Sequence, residues 1–311
     1  MFQGFGRGKK STANSTQRLI AYFIVLLAVG LFIYFKTPWL DPWLGIEATP
    51  SAFVTGSEGM SVHFIDVGQG DCILITDGEY NILIDAADRA HDEELLSYLG
   101  SCGIDSIDMF VLTHPHEDHI GSACDVLEDY TVSLVLKSSY VMASDIYEDV
   151  EAMIDELDIT EKVPVFGEVF TFNDMVFTVV SDPSIEYEEV NNYSIILKLD
   201  HEGNTFLFTG DAEREAEVDL IGKNIDFSCD VLKVGHHGGA TSTHANFLFK
   251  ASPIYAVIQA GADNSYGHPD DLILSRLETQ SVIVYRNDLS GDIICTSTDE
   301  GIVFEFEKTV R

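Results

Sequence analysis

The chain has 311 residues, 46% of them hydrophobic, which is enough to bury a core and excludes an intrinsically disordered protein. Its 17 Lys and Arg stand against 52 Asp and Glu, and the formal net charge of −35 opposes tight, non-specific binding of duplex nucleic acid. Five cysteines, Cys72, Cys102, Cys124, Cys229 and Cys295, form no C-x-x-C pair, which argues against a disulfide framework and a zinc-thiolate site.

Residues 1–18 form a basic tail with Arg7, Lys9, Lys10 and Arg18 and no acid. Leu19 to Phe35 reads LIAYFIVLLAVGLFIYF, an uncharged run that at ~1.5 Å per residue spans roughly 26 Å and predicts one transmembrane helix. The run is long for a signal peptide and is followed by KTPWLDPWLG rather than a small-x-small site, so an uncleaved anchor is expected. Bases before it and acids after it predict a single-pass cell-membrane protein with a cytoplasmic N-terminus and an extracytoplasmic body. Trp39 and Trp43 suit the membrane interface, or a partly buried structural role. Residues 36–59 are rich in Pro, Gly, Ser and Thr and read as a juxtamembrane linker, with one domain over 60–311. Beyond Lys36 the chain carries 12 bases and 52 acids.

Within that domain, β-rich runs are expected at Val62–Val67, Cys72–Thr76, Asn81–Asp85, Asp108–Leu112, Ser133–Leu136 and Val176–Val180, then at Ser194–Leu199, Thr205–Phe208, Asp230–Val234, Tyr255–Ile258, Val282–Tyr285 and Ile302–Phe306. Amphipathic stretches near Glu93–Leu99, Ile120–Asp129, Ile146–Leu157, Ala212–Ile221, Ala245–Lys250 and Pro269–Leu277 predict helices between them. Strands and helices mixed in both halves predict a layered α/β domain, two sheets packed together with helices outside. No short-period repeat supports a solenoid or propeller.

The strongest chemical signal is Thr113-His-Pro-His-Glu-Asp-His-Ile-Gly121, directly after an apolar strand. A loop leaving a strand can aim His114 and His116 at one point, while Asp118 and His119 face a second point nearby. Mixed nitrogen and oxygen ligands suit zinc, manganese or iron. Asp211, in FTGDAE, follows a strand and a Gly turn; alone it reads as a helix N-cap, but beside the histidine cluster it reads as a carboxylate bridging two metals. His236 and His237, in DVLKVGHHGG, sit at another strand end; one closes the second metal site and the other contacts or supports the substrate. The residues leave the order open, and the working assignment makes His236 the ligand and His237 catalytic.

The segments HFIDVGQGDCILI (63–75), NILIDA (81–86), LTHPHEDHIG (112–121), FTGDAE (208–213), DVLKVGHHGG (230–239) and YGHP (266–269), in that order, resemble the metallo-β-lactamase domain of ComEC-type DNA-uptake (competence) proteins and their stand-alone relatives. The resemblance covers almost all of 60–311 and implies a four-layer αββα sandwich. It implies two divalent metals, zinc first and manganese as the alternative, held by His114, His116, Asp118, His119, Asp211 and one of His236 or His237. It implies a catalytic set of Asp118, His237 and His268, the last facing a substrate phosphate. Asp66 and Asp85, at strand ends, either orient ligand imidazoles or serve ordinary turns.

Two departures bear on function. Where many superfamily members have a further histidine before the bridging aspartate, the one candidate here is His201, in an expected turn Asp200 to Asn204 away from the site. The corresponding segment resembles Asn191-Asn-Tyr-Ser194, so Asn192 is the expected stand-in and the first metal is expected to bind weakly. The DNA-uptake proteins carry a multi-helix channel, whereas a single membrane helix here predicts a chain that is not the pore. The resulting expectation is an extracytoplasmic metal-dependent phosphodiesterase or nuclease, acting on single-stranded DNA or an envelope polymer; no protein partner is deducible. An envelope ester or lactam hydrolase, or a non-catalytic binding domain, are the contrasting readings.

Overall fold

The computed structural model describes residues 59–308. The expected basic tail, membrane helix and most of the linker lie outside these residues. Among the described residues no helix is long and apolar enough to cross a membrane.

The first half of the domain runs β1 (Met60–Phe64), β2 (Ile73–Thr76), β3 (Asn81–Ile84), α1 (Asp92–Ser101), β4 (Ser106–Ile107) and β5 (Met109–Leu112). It continues through α2 (Glu117–Ile120), α3 (Ala123–Asp129), β6 (Thr131–Val132), β7 (Leu134–Lys137), α4 (Asp145–Glu156) and β8 (Thr160–Lys162). The second half runs β9 (Val169–Phe172), β10 (Met175–Val179), β11 (Leu197–His201), β12 (Asn204–Phe208), α5 (Arg214–Gly222) and β13 (Val231–Lys233). It ends with α6 (Ala245–Ala251), β14 (Tyr255–Ile258), α7 (Asp271–Thr279), β15 (Ile283–Arg286), α8 (Asn287–Ser290), β16 (Ile293–Thr298) and β17 (Gly301–Phe306).

An eight-stranded sheet has the order β17-β16-β1-β2-β3-β5-β7-β8, and a seven-stranded sheet the order β15-β14-β13-β12-β11-β10-β9. Each passes from antiparallel hairpins into parallel strands, β3-β5-β7-β8 in one and β12-β13-β14-β15 in the other. Parallel neighbours need crossovers, and the helices that supply them cover the outer faces.

The strand period of two sorts the apolar residues into layers. Met109 and Val111 of β5 join the core between the sheets, while Phe110 and Leu112 pack outward under α1, α3 and α4. Likewise Phe206 and Phe208 of β12 face the central core, and Leu207 packs under α5, α6 and α7. Both faces of these strands are therefore buried, which is why they read as unbroken apolar runs. The result is helix, sheet, sheet, helix, as the sequence predicted. Helix ends are fixed by side chains: Ser144 Oγ accepts from Tyr147 N ahead of α4, and Asp270 Oδ1 accepts from Leu272 N ahead of α7. The stretch expected as one helix over Ile120–Asp129 is broken at Ser122, whose N donates to Ala86 O instead of continuing the helix, and the chain re-enters a helix only at Ala123.

Candidate metal centre

The centre lies at the carboxyl ends of the parallel strands, where loops leave both sheets, the usual place for a site in such sheets. β3 runs into Asp85, β5 into Thr113 and the histidine loop, β12 into Asp211, and β13 into His236 and His237. His114 and His119 are fully buried. His114 Nε2 is 3.0 Å from His116 Nδ1 and 3.9 Å from Asp211 Oδ2. His119 Nε2 is 3.3 Å from the same Asp211 oxygen and 4.0 Å from Asp118 Oδ1. His237 Nε2 lies 3.2 Å from Asp118 Oδ2 and 3.5 Å from Asp211 Oδ2. Among the described residues, donor atoms converge in four overlapping sets; two of them, His114 with His119 and Asp211 and Asp118 with His119 and His237, have an Asp211 oxygen close by, and the other two include Asp71.

The far nitrogen of each buried ring is held. His119 Nδ1 is 2.8 Å from Asp85 Oδ2, and His114 Nδ1 is 3.2 Å from Thr113 Oγ1. His237 Nδ1 lies 3.0 Å from the Gln259 carbonyl and 3.2 Å from Asp71 Oδ1. With Nδ1 so engaged, each Nε2 turns its lone pair to the shared space. His119 Nε2, His237 Nε2 and Asp211 Oδ1 are buried without a hydrogen-bond partner. Leaving such atoms unpaired costs on the order of 1–3 kcal/mol each, and a divalent cation would satisfy all three. The donors, imidazole nitrogen and carboxylate oxygen, fit zinc, manganese or iron.

The charges agree. Burial would lower His237, but Asp211, Asp71 and Asp118 outweigh it and push it up to about 10. Burial also opposes charge on His119, and Asp211, Asp85 and Asp118 raise it well above the usual histidine value. For Asp211 burial acts upward, yet His237 and His119 hold the carboxyl well below the usual range. The acids demand positive charge, which a bound cation would supply in place of imidazole protons.

Several expectations change. His237 is buried among the ligand atoms, whereas the His236 ring is a quarter exposed, with Nδ1 3.1 Å from Glu213 Oε1 and from Thr241 Oγ1. The working order of the pair is therefore reversed, because both residues take left-handed backbone, φ 51° and 53°, which a strand-like alternation does not anticipate. Asn192 Oδ1 is committed to the start of α5, accepting from Glu213 N and Ala216 N, so this oxygen is not offered as a ligand in place of a histidine. Asp211 does not cap that helix, whose N-cap is Glu213. Asp66 orients no imidazole: its carboxylate pairs with Lys308 at 3.1 Å. Asp85 does hold a ring; His237 Nδ1 is hydrogen-bonded to the Gln259 carbonyl, with the carboxylate of Asp71, which the sequence left without a role, 3.2 Å away as its ionic neighbour. His201 ends β11 rather than sitting in the turn, with Nδ1 2.9 Å from Ser297 Oγ. His268 stands beside the centre, its ring 5.3 Å from that of His236 and 6.3 Å from that of His237. The close approach needs glycine at 239, where a methyl group would meet His268 Nε2 at 2.9 Å.

The sequence profile of the Metallo-beta-lactamase superfamily matches residues 65–261. ComE operon protein 3 of Bacillus subtilis is 32% identical over 76% of this chain and 33% of its own length. Competence protein ComA of Neisseria gonorrhoeae is 26% identical over 87% of this chain and 37% of its own length. The chain thus spans about a third of the length of these curated relatives. Among solved structures, CmlA, a diiron β-hydroxylase from Streptomyces venezuelae, superposes with a TM-score of 0.53 at 14% identity, over 78% of this chain and 55% of that one; it shares the fold.

Proposed function

The chain belongs to the metallo-β-lactamase superfamily, and on that premise we propose that it is a metal-dependent phosphodiesterase held at the outer face of the cell membrane. The observation that carries this reading is the pair of ligand sets meeting at Asp211 Oδ2. Two divalent ions bound there, zinc in our reading and manganese as the alternative, would supply Lewis acidity and a water activated for attack. We take the site with His114, His116 and Asp211 as the weaker of the two, its further imidazole being His119, which the second site also uses.

The rest is the work of the chain. Glu213 holds His236 by Nδ1, with Nε2 3.9 Å from Asp211 Oδ2. His268 faces it, and its Nδ1 is buried without a partner. These two imidazoles are the groups we assign to contact the phosphate of the substrate. The names of the relatives, one a competence protein, favour DNA, whereas the excess of acids opposes a long polyanion and favours a small or envelope phosphodiester. We read Leu19 to Phe35 as the anchor.

Salt separates the substrates, since screening shortens the Debye length from roughly 30 Å at 0.01 M to about 8 Å at 0.15 M. Turnover of a small phosphodiester should have kcat/KM nearly independent of salt, and single-stranded DNA should be cleaved faster as salt rises. DNA cleavage fastest at the lowest salt would select the nuclease and discard the small substrate. Equal metal content in wild type and Asp211→Ala, with no phosphodiester turned over, would refute the reading as a whole.

A further inference from the structure

Lys233 is the last residue of β13, and the strand alternation carries it inward. Val231 lies in the central core and Leu232 in the outer one, so Lys233 returns to the layer between the sheets, where it is 1% exposed. Its Nζ donates to the Val234 carbonyl at 3.0 Å and pairs with Asp71 Oδ2 at 2.6 Å. Asp71 is as deeply buried and comes from the other half of the domain, from the loop between β1 and β2. Its second oxygen is the one 3.2 Å from His237 Nδ1. Its backbone N donates to Asp118 O, so the same residue touches both a carboxylate ligand's loop and an imidazole ligand. Gln259, whose carbonyl shares His237 Nδ1, is tied back to this loop through Nε2 to Ile65 O and Cys72 O.

A buried ion pair is weak evidence for stability, because apolar side chains of equal volume often serve as well. What such a pair supplies is a fixed carboxylate. We propose that Lys233 and Asp71 are positioning residues: the ammonium locks the carboxylate, and the carboxylate with the Gln259 carbonyl locks the His237 ring so that Nε2 faces Asp118 and Asp211. The pair joins the two halves of the domain at the point where their ligands must share a metal. The inference rests on the metal-binding reading above.

The test uses the full chain in detergent, with zinc affinity from chelator competition and cobalt(II) absorption as the probe of ligand geometry. In Asp71→Asn, with the amide oxygen kept on Lys233, an N–H faces His237 Nδ1. The double variant Asp71→Leu/Lys233→Met removes both charges at similar volume and guards against misfolding from a lone buried charge. Both variants should bind one of the two ions about 10–100-fold more weakly, with an altered cobalt spectrum, and hold the other ion as wild type does. Wild-type affinities and spectrum in the double variant, even with a lower melting temperature, would overturn the inference and leave the pair a purely structural one. His119→Ala keeps the two readings apart. If it binds zinc as wild type does, the metal-binding reading itself fails; if it loses zinc while the double variant does not, only the positioning inference fails.

Discussion

Asp85→Asn changes one atom and reaches the metal centre through a proton. Asp85 is fully buried; Oδ1 accepts from Thr113 N at 2.8 Å, and Oδ2 accepts from Thr113 Oγ1 at 2.7 Å and from His119 Nδ1 at 2.8 Å. If the asparagine oxygen keeps the Thr113 amide, its NH2 takes the place of Oδ2. The Thr113 hydroxyl can turn and accept, but His119 Nδ1–H then meets a donor. The ring escapes by carrying its proton on Nε2, which points that hydrogen at Asp211 Oδ2, 3.3 Å away, and removes the lone pair a metal needs. Loss of an outer partner of a ligand histidine costs about 10–100-fold in metal affinity, or about 1.4–2.7 kcal/mol. Stability of the metal-free protein should change by only about 1 kcal/mol, because burial already pushes the Asp85 carboxyl up and a neutral amide escapes that penalty. Chelator competition measures the first quantity and urea unfolding of stripped protein the second. Zinc affinity equal to wild type, or lost only in step with unfolding, would refute the tautomer argument.

Glu217 on α5 is buried, accepts from His244 N at 2.9 Å, and is raised by desolvation from 4.5 to about 7. A folded value above the unfolded one means that its stabilising contribution is complete below pH 4.5 and is lost as pH rises through about 7. Glu217→Gln should remove roughly 3 kcal/mol of that decline; urea midpoints that fall equally in both proteins between about pH 5 and 8 would contradict it. Gly70→Ala sets a methyl group 2.4 Å from the Asp118 carbonyl at φ +144°, and should cost about 1–3 kcal/mol and weaken zinc binding through Asp118; a wild-type melting curve and zinc isotherm would count against the close approach. Asp66→Ala breaks a pair with a largely exposed Lys308 and a long hydrogen bond from Gly68 N, so stability should fall by about 1 kcal/mol with zinc affinity unchanged. A tenfold loss of zinc would return Asp66 to the imidazole-orienting role it does not occupy here.

The parts of the fold legible in the sequence were those where burial writes a period. Strands such as β5 and β12 have both faces covered, and the helices between them present one apolar face each. The strands missed carry a weaker signal: β4 and β6 have two residues each, β8 is Thr-Glu-Lys at a sheet edge, β9 alternates exposed with half-buried residues, and β16 passes from Ile-Ile-Cys into Thr-Ser-Thr. The metal centre was legible where its residues follow one strand, as in the loop from His114 to His119. It was not legible where contacts join distant segments. Asp71 and Lys233 lie in different halves of the chain, and one hint was available: strand alternation directs Lys233 into the central layer, where an ammonium must find an acid. His236 and His237 show why spacing alone fails at such a site. Adjacent residues on a regular strand point to opposite faces, but left-handed backbone at both lets one join the candidate ligands and the other pair with Glu213. Asp85 and Ala87, at the end of β3, are also left-handed, at φ 59° and 55°. Non-glycine residues in this region cost about 1–3 kcal/mol each and persist only where the surrounding structure dictates them. At these four positions beside the candidate ligands local preference was overruled, and there a sequence pattern is least able to say which way a side chain points.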